Sequence, residues 1–83
     1  MKLFPQYVLL AERHWRTWLP RQVAELERTG RLEAKLREAA EGTEMELEEL
    51  RRHFIQQGLA PAQASQRAWE IVRERYLFLP PEE

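Results

Sequence analysis

The chain is expected to fold as an all-α domain, a single small bundle of about four to five short helices, on three observations. All 14 acidic residues are glutamate, and neither aspartate nor asparagine occurs. Asp and Asn compete for local backbone groups and favour caps and turns, whereas Glu, Arg, Gln, Leu and Ala propagate helices. The β-branched residues that favour strands are sparse: Val8, Val23, Val72, Ile55, Ile71 and the threonines Thr17, Thr29 and Thr43. Apolar residues instead recur at spacings of three and four, the period of a helix face.

Phe4, Val8, Ala11, Trp15 and Trp18 form the first such stripe, with Pro5 suited to a first-turn position. Pro20 lacks an amide donor and disfavours helical geometry at Leu19, so it either kinks this helix or opens the next one, with a break near Leu19 favoured. The second helix turns Val23 and Leu26 inward and stops at Gly30, which suits a left-handed C-terminal cap. Leu32, Leu36, Ala39 and Ala40 make a short stripe expected to end near Gly42. Thr43-Glu44-Met45-Glu46 then matches a capping box, threonine at the cap and glutamate three residues on, so a new helix is expected to start there. Leu47, Leu50 and Phe54 face inward on it, Ile55 flanks them, and Gly58 closes it. Leu59-Ala60-Pro61 opens the last helix, which turns Ala64, Ala68, Ile71, Val72 and Tyr76 inward. Its small residues permit close approach to a neighbour. Residues 76–83 form an apolar, proline-terminated tail around Leu77-Phe78-Leu79-Pro80-Pro81.

At 83 residues and 10.0 kDa there is room for one domain and one core. Surface scaling allows it roughly 5,200 Å² of exposed surface, with about 64% of the unfolded chain's surface buried. That margin is narrow, and a partner or a second protomer would widen it. No apolar run approaches the roughly 18 residues of a membrane span, and Tyr7-Val8-Leu9-Leu10-Ala11 is too short for a signal-peptide core. A cytoplasmic protein is therefore expected, with no membrane partner. Without cysteine there are no disulfides or thiolate metal sites. The net charge of −1 conceals a polarity: residues 1–24 sum to +3, residues 25–50 to −5 and residues 51–83 to +1. Such a dipolar chain favours head-to-middle association or oriented docking.

The densest chemistry lies in Arg13-His14-Trp15-Arg16-Thr17-Trp18-Leu19-Pro20-Arg21. Trp15 and Trp18 have two readings, as core rings supplying burial or as anchors for a partner, because Trp and Arg are enriched at binding hot spots. Trp69 sits beside the inward stripe of the last helix and has the same two readings. Arg13, Arg16 and Arg21 are a candidate phosphate-contacting cluster, with a tryptophan stacking on a base. Three arginines on a net acidic chain make a weak footprint beside the solvated-face reading. A helix-turn-helix around Gly58 fails at three positions, where Phe54, Gln57 and Arg67 stand in place of small or apolar residues. His53 and Glu49 share a helix face, but two ligands do not make a zinc site. Glu44, Glu46, Glu48 and Glu49 read as a solvated face. The lone serine, Ser65, lies in an alanine-rich turn. No catalytic constellation is visible, so no enzymatic activity, cofactor, metal or small-molecule substrate is expected. The tail either folds over the core or forms a docking segment or dimer seam, with Tyr76 and Phe78 as its candidate contacts.

Trp18-Leu19-Pro20, Leu26, Gly30 and Leu32, with Ala68 and Glu70-Ile71-Val72, resemble the TnpV family of small transposon-encoded helical proteins. Ala68-Trp69-Glu70, Val72-Arg73-Glu74, Tyr76 and Leu79-Pro80 are also similar to the ends of short phage and prophage reading frames. The similarity covers most of residues 14–80, and the Leu77-Phe78-Leu79-Pro80-Pro81 ending departs from TnpV. The resemblance implies an accessory gene of a prokaryotic mobile element and brings no catalytic residues to carry over. The expectation is a non-enzymatic interaction protein that binds a protein partner or itself through Arg13, Trp15, Arg16, Trp18, Arg21, Trp69, Tyr76 and Phe78. The alternative is a nucleic-acid-binding accessory that uses Arg13, Arg16 and Arg21.

Overall fold

The computed structural model describes residues 4–82, and its four helices are α1 (Pro5–Trp18), α2 (Pro20–Arg28), α3 (Leu32–Gln56) and α4 (Pro61–Tyr76). No strand occurs among the described residues. Three helices open with proline at the first helical position, where its missing N–H costs nothing. Pro20 separates two helices, as predicted: α1 ends at Trp18, and Leu19 leaves helical geometry with ψ of 51°. Gly30 (φ 71°) ends α2 in a Schellman motif, in which Arg31 N–H donates to Leu26 C=O and Gly30 N–H to Glu27 C=O. The same double bond closes α3 at Gly58, where Leu59 N–H reaches Phe54 C=O and Gly58 N–H reaches Ile55 C=O. At the start of α4 the Gln63 side chain accepts the Ala60 N–H.

One boundary is corrected. No helix ends near Gly42 and none starts at Thr43, because α3 runs unbroken through both. The Thr43 side chain is fully buried and its hydroxyl donates to Ala39 C=O one turn back, so it caps nothing. Glu46, cast as the reciprocal half of the box, accepts instead from Tyr76 and Arg75 on α4. Gly42 is small because the Tyr76 ring lies on it, not because a chain turns there. A Cβ at Gly42 would sit 2.7 Å from Tyr76 Cε1.

α3 and α4 pair as an antiparallel hairpin, and α1 packs across the first half of α3 with α2 folded beside it. Ala64, Ala68 and Val72, one turn apart on α4, are completely buried, and their small size lets the two backbones approach. Ala11, Trp15, Leu19, Val23, Leu26, Leu36, Ala39 and Leu77 form the main core. It lies at one end of the molecule, and no residue from 44 to 63 is buried. The outline is flat, 46 × 33 × 15 Å, with a radius of gyration of 14.2 Å. A compact domain of this length would have about 12 Å. The exposed surface of 5,962 Å² exceeds the roughly 5,200 Å² scaled from mass by about 700 Å².

Candidate functional site: an aromatic seam

On α1 the period of the helix divides the aromatic residues between two directions. Ala11 and Trp15 point into the core, and the Trp15 indole N–H donates to Leu77 C=O at 3.1 Å. Trp15 is therefore a strut inside the fold, and its place among the partner-contact candidates is corrected. A buried indole needs an acceptor, and the first residue after α4 supplies it. Tyr7, His14 and Trp18, at i, i+7 and i+11, run along the edge of α1 that meets the end of α4 and the tail.

The tail folds back along this edge. Leu77 is completely buried. His14 Nε2–H donates to Leu79 C=O at 2.7 Å, which sets the tautomer because a carbonyl only accepts. Glu82 N–H donates to Trp18 C=O at 2.9 Å, and one Glu82 carboxylate oxygen accepts Arg21 N–H at 2.8 Å and Gln22 N–H at 3.4 Å. Pro20 has no N–H, so these are the first unpaired amides of α2. A carboxylate from the far end of the chain thus caps a helix with no cap of its own.

The folded tail completes a continuous row of rings: Phe4, Tyr7, Trp69, Phe78, His14 and Trp18. Successive centroids are 6.2, 6.1, 6.2, 5.3 and 6.4 Å apart, within the range of favourable aromatic pairs. The first five rings are half-buried, and Trp18 at the end of the row keeps 50% of its surface exposed. Beside Tyr7 and Trp69 opens a groove of about 490 Å³ with an apolar floor of Leu10, Leu47 and Ala68. Glu44, Glu48, Arg51 and Ser65 complete its lining. Burial, and secondarily the Glu44 charge, hold the Tyr7 phenol above its ordinary pKa, so it stays a neutral donor.

The other candidates divide. Trp69 and Phe78 belong to the seam and meet edge-on. Tyr76 does not: its ring covers Gly42 and its hydroxyl donates to Glu46 at 2.8 Å, beside the Arg75–Glu46 ion pair. The Arg16 guanidinium is engaged by Glu12 at 3.0 Å and Glu27 at 3.4 Å. Arg13 and Arg21 are exposed and have no ion pair among the described residues. The three arginines therefore do not present a uniform cationic patch. Sequence reasoning missed Tyr7 and assigned His14 no role. Their seven-residue spacing to each other, and the further four to Trp18, was the available signal.

No protein-family model matches the chain, and neither a curated protein nor a solved structure is significantly similar to it. Its site is therefore read from its own geometry. No buried side-chain polar atom lacks a hydrogen bond among the described residues, and no group of three or more His, Cys, Asp or Glu is spaced to hold a metal ion. None of the described helices is long and apolar enough to cross a membrane.

A second, wider groove of about 970 Å³ lies across α1 from the seam. Val8, Leu9, Leu32 and Leu36 form its apolar part, and Leu9 is 52% exposed. Its rim carries Glu12 and Glu27, both paired with Arg16, together with Glu33 and Arg37. The seam differs in presenting a large exposed ring, Trp18, at its end.

Proposed function

We propose that this chain is a non-enzymatic helical interaction protein, acting in the cytoplasm, that binds a protein partner or a further copy of itself through the aromatic seam. The observation that carries the reading is Trp18: a tryptophan half exposed at the end of a six-ring row, with Arg21 three residues on in the chain. Solvating that much aromatic surface is unfavourable, and Trp and Arg are the residues that dominate binding energy when such patches are covered. His14, itself packed on Phe78, lies against the ring and limits the side-chain freedom lost on docking. The resemblance to TnpV supports a setting in a phage or transposon of a prokaryote. Terminase or transposase genes beside its own gene are the expected neighbourhood.

Tagged protein, in lysate treated with nuclease, is expected to retain either a defined protein or an untagged copy of itself. Trp18→Ala is expected to abolish that retention with the far-ultraviolet circular dichroism unchanged. Undiminished retention by Trp18→Ala overturns the proposal. Recovery of nucleic acid alone, falling steeply as salt rises, would move the function to Arg13 and Arg21.

A further inference from the structure

We infer that the seam's occupant is a second copy of this chain, docked face to face about a twofold axis, so that each Trp18 enters the other copy's Tyr7–Trp69 groove. The inference rests on the seam being the binding surface and adds its partner and geometry.

Surface area gives the first argument. The chain exposes about 700 Å² more than a compact monomer of its mass should. Each side of a stable protein–protein interface buries about 800 Å². The core lies at one end and the outline is flat, so a second copy would supply the layer that the fold lacks.

Geometry gives the second. A twofold interface must be self-complementary: the patch has to contain both a projection and its recess. Here Trp18 is the projection and the groove floored by Leu10, Leu47 and Ala68 is the recess. Tyr7 and Trp18 lie on one stripe of α1, eleven residues and roughly 16 Å apart along the helix. An axis midway between them, across antiparallel α1 helices, brings both projections to both recesses at once. The groove's 490 Å³ is ample for an indole.

Charge gives the third. Arg21 follows Trp18 by three residues at the start of α2, whereas Glu44 and Glu48 line the groove. Glu44 has no ion pair among the described residues, and the Glu48–Arg52 contact of 3.8 Å is exposed and exchangeable. Arg51 also lines the groove, which stays net negative with two carboxylates to one guanidinium. Antiparallel docking sets Arg21 of each copy toward the Glu44–Glu48 wall of the other's groove. Parallel docking would turn Arg21 away from those carboxylates, which selects the antiparallel form of the twofold arrangement.

Sedimentation equilibrium over a dilution series tests this, with the wild-type chain expected at twice its 10.0 kDa mass. Trp18→Ala should weaken self-association about 30-fold or more. Glu44→Arg/Glu48→Arg and Arg21→Glu should each be monomeric and helical alone. Mixed one to one, they should form a heterodimer, because both knob-and-groove contacts regain opposite charges. A monomeric wild type at every concentration overturns the inference, as does a dimer indifferent to both reversals. A monomer that still retains another protein through Trp18 removes self-pairing and leaves the interaction reading standing. A monomer that retains nothing removes both.

Discussion

Gly42 on α3 and Tyr76 at the end of α4 meet so closely that the tyrosine ring occupies the space a β-carbon would need. The ring cannot simply swing aside, because its hydroxyl is held by Glu46, one turn from Gly42 on the same helix. A glycine inside α3 costs about 1 kcal/mol relative to alanine. Overpacking a fitted contact costs about 1–3 kcal/mol. The clash should therefore outweigh the gain in helix propensity, and Gly42→Ala should destabilise by about 1 kcal/mol in chemical denaturation. In a Tyr76→Leu background the sign should reverse, with alanine stabilising by about 1 kcal/mol. A Gly42→Ala effect unaltered by removing the ring would contradict the contact.

The Glu46–Tyr76–Arg75 cluster should leave a signature in the pH dependence of stability. The Tyr76 hydroxyl, and then the Arg75 guanidinium, lower the Glu46 pKa, while the Glu46 carboxylate raises that of Tyr76. A lowered carboxylate favours the folded state above its unfolded pKa of roughly 4.3, and that contribution disappears as pH falls through the folded value. A raised phenol contributes below its unfolded pKa of roughly 10 and loses that contribution as pH rises through the folded value. The pair should thus stabilise between these limits. Tyr76→Phe should cost about 1 kcal/mol at neutral pH and flatten both limbs of a denaturation-midpoint profile. Retention of both slopes would assign them to other groups.

Glu82 should matter more than its place beside the chain's end suggests. Its carboxylate is the acceptor for Arg21 and Gln22 at the start of α2. Glu82→Ala should cost about 1 kcal/mol, a midpoint shift of roughly 4–8 °C for a domain of this size. Amide exchange at Arg21 and Gln22 should accelerate, and Glu82→Gln should recover part of the loss because its amide oxygen still accepts. Unchanged exchange at both amides would show that the cap does not form in solution.

Trp15 and Trp18 are expected to behave oppositely although only three residues separate them. Trp15→Phe removes the donor to Leu77 C=O and leaves that buried oxygen unmatched, a loss of about 2 kcal/mol. Trp18→Phe should change the stability of the separated chain by less than about 0.5 kcal/mol. Fluorescence separates them independently under conditions that keep the chain monomeric. Removing Trp18 should delete the long-wavelength emission that acrylamide quenches readily, and removing Trp15 should delete the short-wavelength, protected part. Equal quenching in both variants would contradict their different burial.

The legible features were those set by a residue's own backbone. Proline at 5, 20 and 61 marks three helix starts because a locked φ and a missing N–H suit few other positions. Gly30 and Gly58 mark two helix ends because positive φ excludes most other residues. The abundance of Glu, Leu and Ala determined that the segments between them are helical.

What escaped the sequence depends on residues far along the chain. Thr43 and Glu46 have the right types and spacing for a capping box, yet Tyr76, 30 residues beyond Glu46, claims both the space over Gly42 and the hydrogen bond of Glu46. Period alone placed Trp15 and Trp18 on one stripe, and the return of Leu77 decided which ring would be enclosed. The seam likewise exists only because Phe78 comes back to lie between Trp69 and His14. Local propensity determined that there would be helices and where most of them stop. Side-chain contacts between distant segments decided which one continues, which tryptophan supports the core and which faces outward, because those choices depend on what occupies the neighbouring space.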